Sequence, residues 1–293
     1  MEQDMDLFIL GAGFSGQEIA RRMDGAARIT GTSRAVTRFE ALQAAGIEPV
    51  LFDGECLTDT LLEALARTTH LVQSVRPNER GDPLLRLTGG DLKRFMPKLQ
   101  WVCYLSTVGV YGDHDGAWVT EETPSQPVNK RSQWRVDAEQ GWLEFSKRTG
   151  MPVAIARLGG IYGPGRNTFV KIDRGEARRL VKPGQVFNRI HVADVAGAVD
   201  HLAKKQASGF WNVVDNEPCP PQDVVTFACN LMGVEPPPEI AFEDADLTPM
   251  ARSFYADNKR VSNAKLRESG YRFQYPDYRA ALEAMWSDGS WRG

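Results

Sequence analysis

The sequence is short of several things that specialised proteins need. It has no apolar run near the roughly 20 residues that span a bilayer, four cysteines and four histidines in 293 residues, and no surplus of positive charge. Each shortage excludes a class of function. Cys56, Cys103, Cys219 and Cys229 form no CxxC pair and have no histidine at ligand spacing, so neither a zinc site nor a disulfide framework is expected. With 35 Lys and Arg against 38 Asp and Glu, the net charge of -3 offers no basic field for a nucleic acid or an anionic membrane. A small, partly anionic ligand in a local pocket remains. The opening residues Met1 to Asp6 are acidic where a signal peptide is basic, so the expected chain starts where the sequence starts and works in the cytoplasm. Hydrophobic residues at 42% and charged residues at 25% are those of an ordinary globular protein, of a length that suits about two domains.

Short apolar runs alternate with amphipathic stretches through the N-terminal half, which predicts βαβ units around a parallel sheet. Strands are expected at residues 7–10, 28–32, 49–52, 70–74, 101–105 and 153–158. Helices are expected at residues 17–23, 37–45, 57–66, 84–95 and 132–147, with Gly46 in the place of a helix C-cap. Six strands with intervening helices make a doubly wound α/β fold of the Rossmann type. Past Arg166 glycine and proline break the rhythm, and residues 190–192, a helix at 193–204 and a strand at 210–214 restore it. From Asn216 onward, the run Pro236-Pro237-Pro238 and helical pieces at 222–232, 261–268 and 278–286 predict a smaller, substrate-side domain.

Gly11-Ala12-Gly13-Phe14-Ser15-Gly16 follows the first strand directly and opens the first helix. In that context GxGxxG reads as a dinucleotide-binding turn. Gly11 permits the tight turn, Gly13 lets the backbone approach a pyrophosphate, and Gly16 lets helix and strand pack. The amides at Phe14, Ser15 and Gly16 would hold phosphates. The alternative is a plain glycine-rich turn. Chains that prefer NAD place an acid at the end of the second strand for the ribose 2′-hydroxyl, and here the residues are Thr32, Ser33 and Arg34. A hydroxyl and a guanidinium can bind and neutralise a 2′-phosphate, so NADP(H) is the preferred cofactor and NAD(H) the second choice. Otherwise Arg34 is a solvated loop charge, and Arg38 either a second phosphate ligand or surface. Asp53, ending the third strand, is placed to accept from an adenine amino group, and Ser74 ends the fourth beside the dinucleotide path. Both could equally cap helices.

Taken with these, Ser106-Thr107-Val108-Gly109-Val110-Tyr111-Gly112, Glu121-Glu122-Thr123-Pro124, Arg157-Leu158-Gly159-Gly160-Ile161-Tyr162-Gly163-Pro164-Gly165 and Ile190-His191-Val192-Ala193-Asp194 resemble the extended short-chain dehydrogenase/reductases of the NAD(P)-dependent epimerase/dehydratase group. The GxGxxG form and the segment from Tyr111 to Trp118 are similar to its atypical, YeeZ-like subgroup. The resemblance covers nearly the whole chain. It implies an NAD(P)-binding Rossmann domain of residues 1–165 plus 188–215 and a substrate-side domain of residues 166–187 plus 216–293. It also implies a small carbonyl or hydroxyl substrate, a sugar derivative among the options. Many relatives form homodimers through helices flanking the sheet, here those at 84–95 and 132–147.

The family's chemistry uses a hydroxyl residue, a tyrosine and a lysine. Thr107 falls at the hydroxyl position, with Ser106 beside it. Where the YxxxK pair belongs stands Arg131-Ser132-Gln133-Trp134-Arg135. A guanidinium is deprotonated in fewer than roughly one molecule in 10⁵ at pH 7, a penalty of about 7 kcal/mol for use as a base. Arg131 therefore cannot replace the tyrosine, although it could clamp a carboxylate or phosphate, and Arg135 could bind the nicotinamide ribose. Both could also be solvated helix charges. Tyr111, His114 and Tyr162 are the candidate proton donors; His114 sits in a Gly- and Asp-rich loop that favours a surface role, and His191 and Asp194 read as structural. Two readings follow: an oxidoreductase or epimerase/dehydratase, or a redox sensor that binds NADP(H) without turning over.

Overall fold

The computed structural model describes residues 5–293; the first four residues of the acidic N-terminal run lie outside the described residues. Seven strands form the main sheet: β1 (Asp6–Leu10), β2 (Arg28–Ser33), β3 (Glu48–Leu51), β4 (His70–Gln73), β5 (Trp101–Thr107), β6 (Val153–Leu158) and β7 (Gly209–Val213). Their order is β7-β6-β5-β4-β1-β2-β3. The pairs β1–β2, β2–β3, β1–β4 and β4–β5 run parallel. The strands are apolar along their length because a parallel sheet is covered on both faces: all six residues of β6 are buried, as are the first six of β5.

Chain order reverses beside β1, with β2 on one side and β4 on the other. In doubly wound sheets a crevice opens beyond the carboxyl ends of the strands at this switch point. The residues leaving β1 and β4 there are Gly11 and Ser74, and Ser74 N donates to Leu10 O at 2.9 Å.

The connecting helices include α1 (Phe14–Arg22), α2 (Phe39–Ala44), α3 (Asp59–Arg67), α4 (Pro83–Leu87), α5 (Leu92–Phe95) and α6 (Lys130–Thr149). Thr58 caps α3 and Asp82 caps α4 through their side chains. The single helix expected at 84–95 is two pieces, because Gly89 and Gly90 take φ of +60° and +73° between α4 and α5. Asn129 caps the start of α6, and Gly150 ends it at φ +70°. Trp142, Phe145 and Ala138 of α6 reach the core formed with Phe8, Leu71, Val102, Tyr104 and Ile155.

The chain forms two compact units. The first comprises the described residues up to Thr107 with Asn129–Arg157 and Val195–Trp211; the second comprises Val108–Val128, Leu158–Asp194 and Asn212–Gly293. The division expected from the sequence placed residues 108–128, 158–165, 188–194 and 212–215 with the N-terminal domain, whereas the contacts group them with the second unit. There the helices Thr168–Asp173, Pro221–Met232 and Tyr278–Ser287 surround Phe169, Ala228, Tyr278, Leu282 and Trp291. Three short parallel strand pairs join 160–162 to 189–191, 179–181 to 239–241, and 118–119 to 260–261. The last pair takes Val261 into a strand, so the helix expected at 261–268 spans Ala264–Glu268.

Candidate functional site

The glycine turn is built as the motif requires. Gly11 has φ +95°, and a Cβ there would lie 3.0 Å from Val75 Cγ2 and 3.2 Å from Val75 N. Gly16 packs against β1, where a Cβ would lie 3.0 Å from Ile9 Cγ2 and 3.1 Å from Gly11 O. Gly13 differs from both: a Cβ there would meet nothing within 4 Å. It is the N-cap of α1, and no side chain caps that helix start. The turn thus offers open space beside the positive end of a helix, which fits a pyrophosphate.

Thr32, read from the sequence only as a neighbour of Ser33 and Arg34 at the end of β2, holds this turn. Its hydroxyl accepts from Gly11 N at 2.8 Å and its carbonyl from Ala12 N at 2.9 Å. Gly31 clears the way for Ala12, since a Cβ at 31 would stand 2.7 Å from Ala12 Cβ and from Ile47 Cγ2. A close approach of this kind depends on tertiary packing, so a lone glycine within an apolar strand gives no signal for it.

Ser33 is half-buried and closes a local turn, its hydroxyl accepting from Ala35 N at 3.2 Å. Arg34 is exposed and makes no hydrogen bond or ion pair among the described residues. Asp53 is exposed, and Oδ1 accepts from Glu55 N at 2.9 Å. It caps no helix, because Thr58 does so for α3. Ser74 is half-buried and likewise caps nothing, that role at α4 belonging to Asp82.

Thr107 ends β5, half-buried. Beside it, Ser106 Oγ donates to Glu139 Oε1 at 2.5 Å, and Glu139 is gripped by Arg157 through Nε at 3.1 Å and Nη2 at 2.7 Å. All three are buried. Nothing in the residue types singles out Glu139 or Arg157 as partners across 18 positions. Arg135 donates through Nη1 to Leu105 O at 2.6 Å and to Tyr104 Oη at 3.3 Å. Arg131, one turn earlier, is exposed and has no polar partner among the described residues. Burial pushes the Tyr104 hydroxyl well above the usual tyrosine value, against the pull of Arg135.

In the second unit Tyr111 is fully buried and donates to Asn212 Oδ1 at 2.7 Å. Asn212 N in turn donates to Glu121 Oε1 at 2.9 Å. Tyr162 is half-buried and meets His191 edge-on at 5.3 Å, with its hydroxyl buried and without a hydrogen-bond partner among the described residues. Burial raises its pKa, and the Asp215 charge adds to the effect. Burial also lowers His191 to about 4, while its Nδ1 accepts from Ala193 N at 3.2 Å. Asp194 accepts from Gln274 N, Tyr275 N and Tyr271 Oη at 2.8, 2.9 and 2.8 Å. Asp194 therefore ties its helix start to the 271–275 segment, and His191 packs against the rings of Tyr162 and Tyr275. His114 is half-buried, with Nε2 3.1 Å from Tyr111 O.

No group of three or more metal-ligating side chains occurs among the described residues, and no described helix is long and apolar enough to cross a membrane.

Residues 92–213 match a family model described as the NAD dependent epimerase/dehydratase family, and residues 238–285 match a domain of unknown function, DUF1731. The glycine turn lies ahead of the matched stretch. Protein YeeZ of Escherichia coli (strain K12) is 28% identical over 286 residues, covering 92% of this chain and 96% of YeeZ. A functionally unknown conserved protein from Silicibacter pomeroyi DSS is 44% identical with a TM-score of 0.86, covering 97% of this chain and 98% of that one. The dTDP-glucose 4,6-dehydratase of Bacillus anthracis str. Ames, solved in complex with NAD, shares the fold at 18% identity and a TM-score of 0.76, over 97% of both chains. With the doubly wound sheet and the glycine turn at its switch point, the chain carries an NAD dependent epimerase/dehydratase family domain over residues 92–213 and is a homologue of YeeZ.

Proposed function

We propose that the protein binds NADP(H) in preference to NAD(H) and is an oxidoreductase or epimerase/dehydratase for a small carbonyl or hydroxyl compound, such as a sugar derivative, in the cytoplasm. The observation that carries the reading is Gly13, where an uncapped helix start faces open space. The residues present fit the group. Gly11, Gly13, Phe14, Ser15 and Gly16 would hold the pyrophosphate, Ser33 and Arg34 a 2′-phosphate, and Asp53 and Ser74 the adenosine side. An exposed guanidinium and a hydroxyl, with no acid at the end of β2, suit a phosphate better than a bare ribose. A bound nicotinamide supplies hydride exchange.

The chain's own residues would orient the substrate. Thr107 would hold the reacting oxygen, and Arg131, which has no polar partner among the described residues, would clamp an anionic substituent. Arg135 shares the candidate ribose role, although one of its nitrogens serves Leu105 O. Tyr111 and Tyr162 are the candidate proton donors, and the hydrogen bond from Tyr111 to Asn212 favours Tyr162. A related dehydratase acting on dTDP-glucose supports a sugar-derived substrate. A homodimer involving α6 and the 84–95 segment completes the proposal, to be read from the solution mass.

A second reading has its own support. With arginines at the YxxxK positions and Arg135 bound to β5, the first unit holds neither the tyrosine nor the lysine that relatives use. The protein would then sense the NADPH/NADP⁺ ratio for a protein partner. Parallel calorimetric titrations with NADPH, NADP⁺, NADH and NAD⁺ test the shared premise, with selective binding of the phosphorylated pair expected. Multiple-turnover NADPH consumption with a carbonyl panel would exclude the pure sensor, and binding of none of the four would end both readings.

A further inference from the structure

Two arginines in the loop after β4 stand in opposite circumstances. Arg80 is held by both carboxylate oxygens of Glu55. Arg76 is exposed and makes no hydrogen bond, ion pair or ring contact among the described residues.

The backbone that presents Arg76 is firmly anchored. Gln73, fully buried at the end of β4, accepts through Oε1 from Val75 N at 2.8 Å and donates through Nε2 to Asp82 Oδ2 at 2.6 Å. Asp82 is 4% exposed and also receives Trp142 Nε1 at 3.3 Å and, at the start of α4, Leu84 N at 2.9 Å and Leu85 N at 3.1 Å. A buried carboxylate with this many donors is fixed in place. The clamp bears on the glycine turn because Val75 is the residue whose N and Cγ2 close on Gly11. Arg76 thus follows, by one residue, a contact that is part of the nucleotide turn. It lies at the carboxyl edge where strand order reverses.

We propose that Arg76 binds the pyrophosphate of the dinucleotide, and that Gln73 and Asp82 are positioning residues that hold its backbone against the glycine turn. The proposal rests on the dinucleotide reading above and deepens it. A guanidinium at this edge meets a doubly charged diester through charge-assisted hydrogen bonds. Its signature differs from that of Arg34, because the pyrophosphate is common to NADPH and NADH whereas the 2′-phosphate is not.

The test is calorimetric titration of NADPH and NADH into the wild-type chain, Arg76→Ala, Gln73→Leu and the double variant, with melting temperatures measured alongside. Arg76→Ala should weaken both nucleotides alike, by about tenfold. Gln73→Leu should also weaken both, and the double variant should be no weaker than Arg76→Ala. A purely structural glutamine would lower the melting temperature and leave independent, additive losses. If Gln73→Leu does not fold, Asp82→Asn, which keeps the side-chain shape, serves the same comparison. Unchanged binding in Arg76→Ala overturns the proposal, as does a loss confined to NADPH, which would assign Arg76 to the 2′-phosphate. Full additivity overturns the positioning role. A wild-type chain that binds no dinucleotide overturns the underlying reading, an outcome distinct from equal binding by wild type and variant.

Discussion

Arg135 donates to the carbonyl of Leu105 at 2.6 Å, so its guanidinium binds α6 to the strand that ends in Thr107. The same helix grips that strand again one turn on, where Glu139 accepts from Ser106. The end of β5 is therefore held by two side chains of α6, and the position of Thr107 follows from this helix.

Removing that grip should have a measurable cost. Arg135→Ala is expected to lower unfolding free energy by about 2 kcal/mol, the scale of a hydrogen bond to a charged group. Arg131→Ala, which removes an exposed side chain with no polar partner among the described residues, should change it by less than about 0.5 kcal/mol. Urea denaturation of the two variants distinguishes them.

Glu139 and Arg157 form a buried ion pair, each 2% exposed. Truncating one partner strands the other charge, so Glu139→Ala should cost about 3–5 kcal/mol. The double replacement Glu139→Leu with Arg157→Met should be less damaging than the single truncation. A double variant at least as unstable as the single one would show that the pair stabilises the fold outright.

Two glycines of the turn, Gly13 and Gly16, should respond differently to a methyl group. Gly13→Ala meets no protein atom within 4 Å, so its stability should fall by no more than about 1 kcal/mol, the scale of a lost N-cap preference. Affinity for every dinucleotide should fall together, because the methyl enters ligand space. Gly16→Ala presses on Ile9 and Gly11 O and should lower the melting temperature.

Arg34→Ala should weaken NADPH by about tenfold or more and leave NADH nearly unchanged. Equal losses for both nucleotides would remove Arg34 from the 2′-phosphate role.

Asp215 supplies a pH signature. It is 2% exposed, with Oδ2 lacking a hydrogen-bond partner among the described residues. Burial raises its pKa to about 8, with Asp277 and Glu217 adding to the shift and the Glu217 amide and Arg189 opposing it. The folded state thus keeps a proton that the unfolded chain releases near 3.8. Its stabilising contribution is whole below that value and is lost as pH rises through about 8, after which it levels off. His191, lowered to about 4, works in the opposite direction, losing stability as pH falls below 6.5. Asp215→Asn should remove the alkaline loss, of order 1 kcal/mol per pH unit, so its advantage over wild type should grow between pH 5 and 8 in denaturation curves.

Much of the first unit was legible because its signals are local. Alternating apolar runs marked six of the seven main strands within a residue or two at most ends, and the strand expected at 210–214 proved to be the seventh, β7. Gly11, Gly13 and Gly16 could be read from spacing because a strand-to-helix turn needs particular backbone freedom at those positions. The break between α4 and α5 was missed because Gly89 and Gly90 read equally well as weak helix residues until their positive φ is seen.

Residue types at short spacing were enough for the fold class, the family resemblance and the glycine turn. Packing alone set which polar side chains meet: Thr32 with Gly11, Gln73 with Asp82, and Glu139 with Ser106 and Arg157. Such pairings arise when sheet order and helix packing bring distant positions together, and a buried polar group must then be satisfied by whatever neighbour the packing supplies.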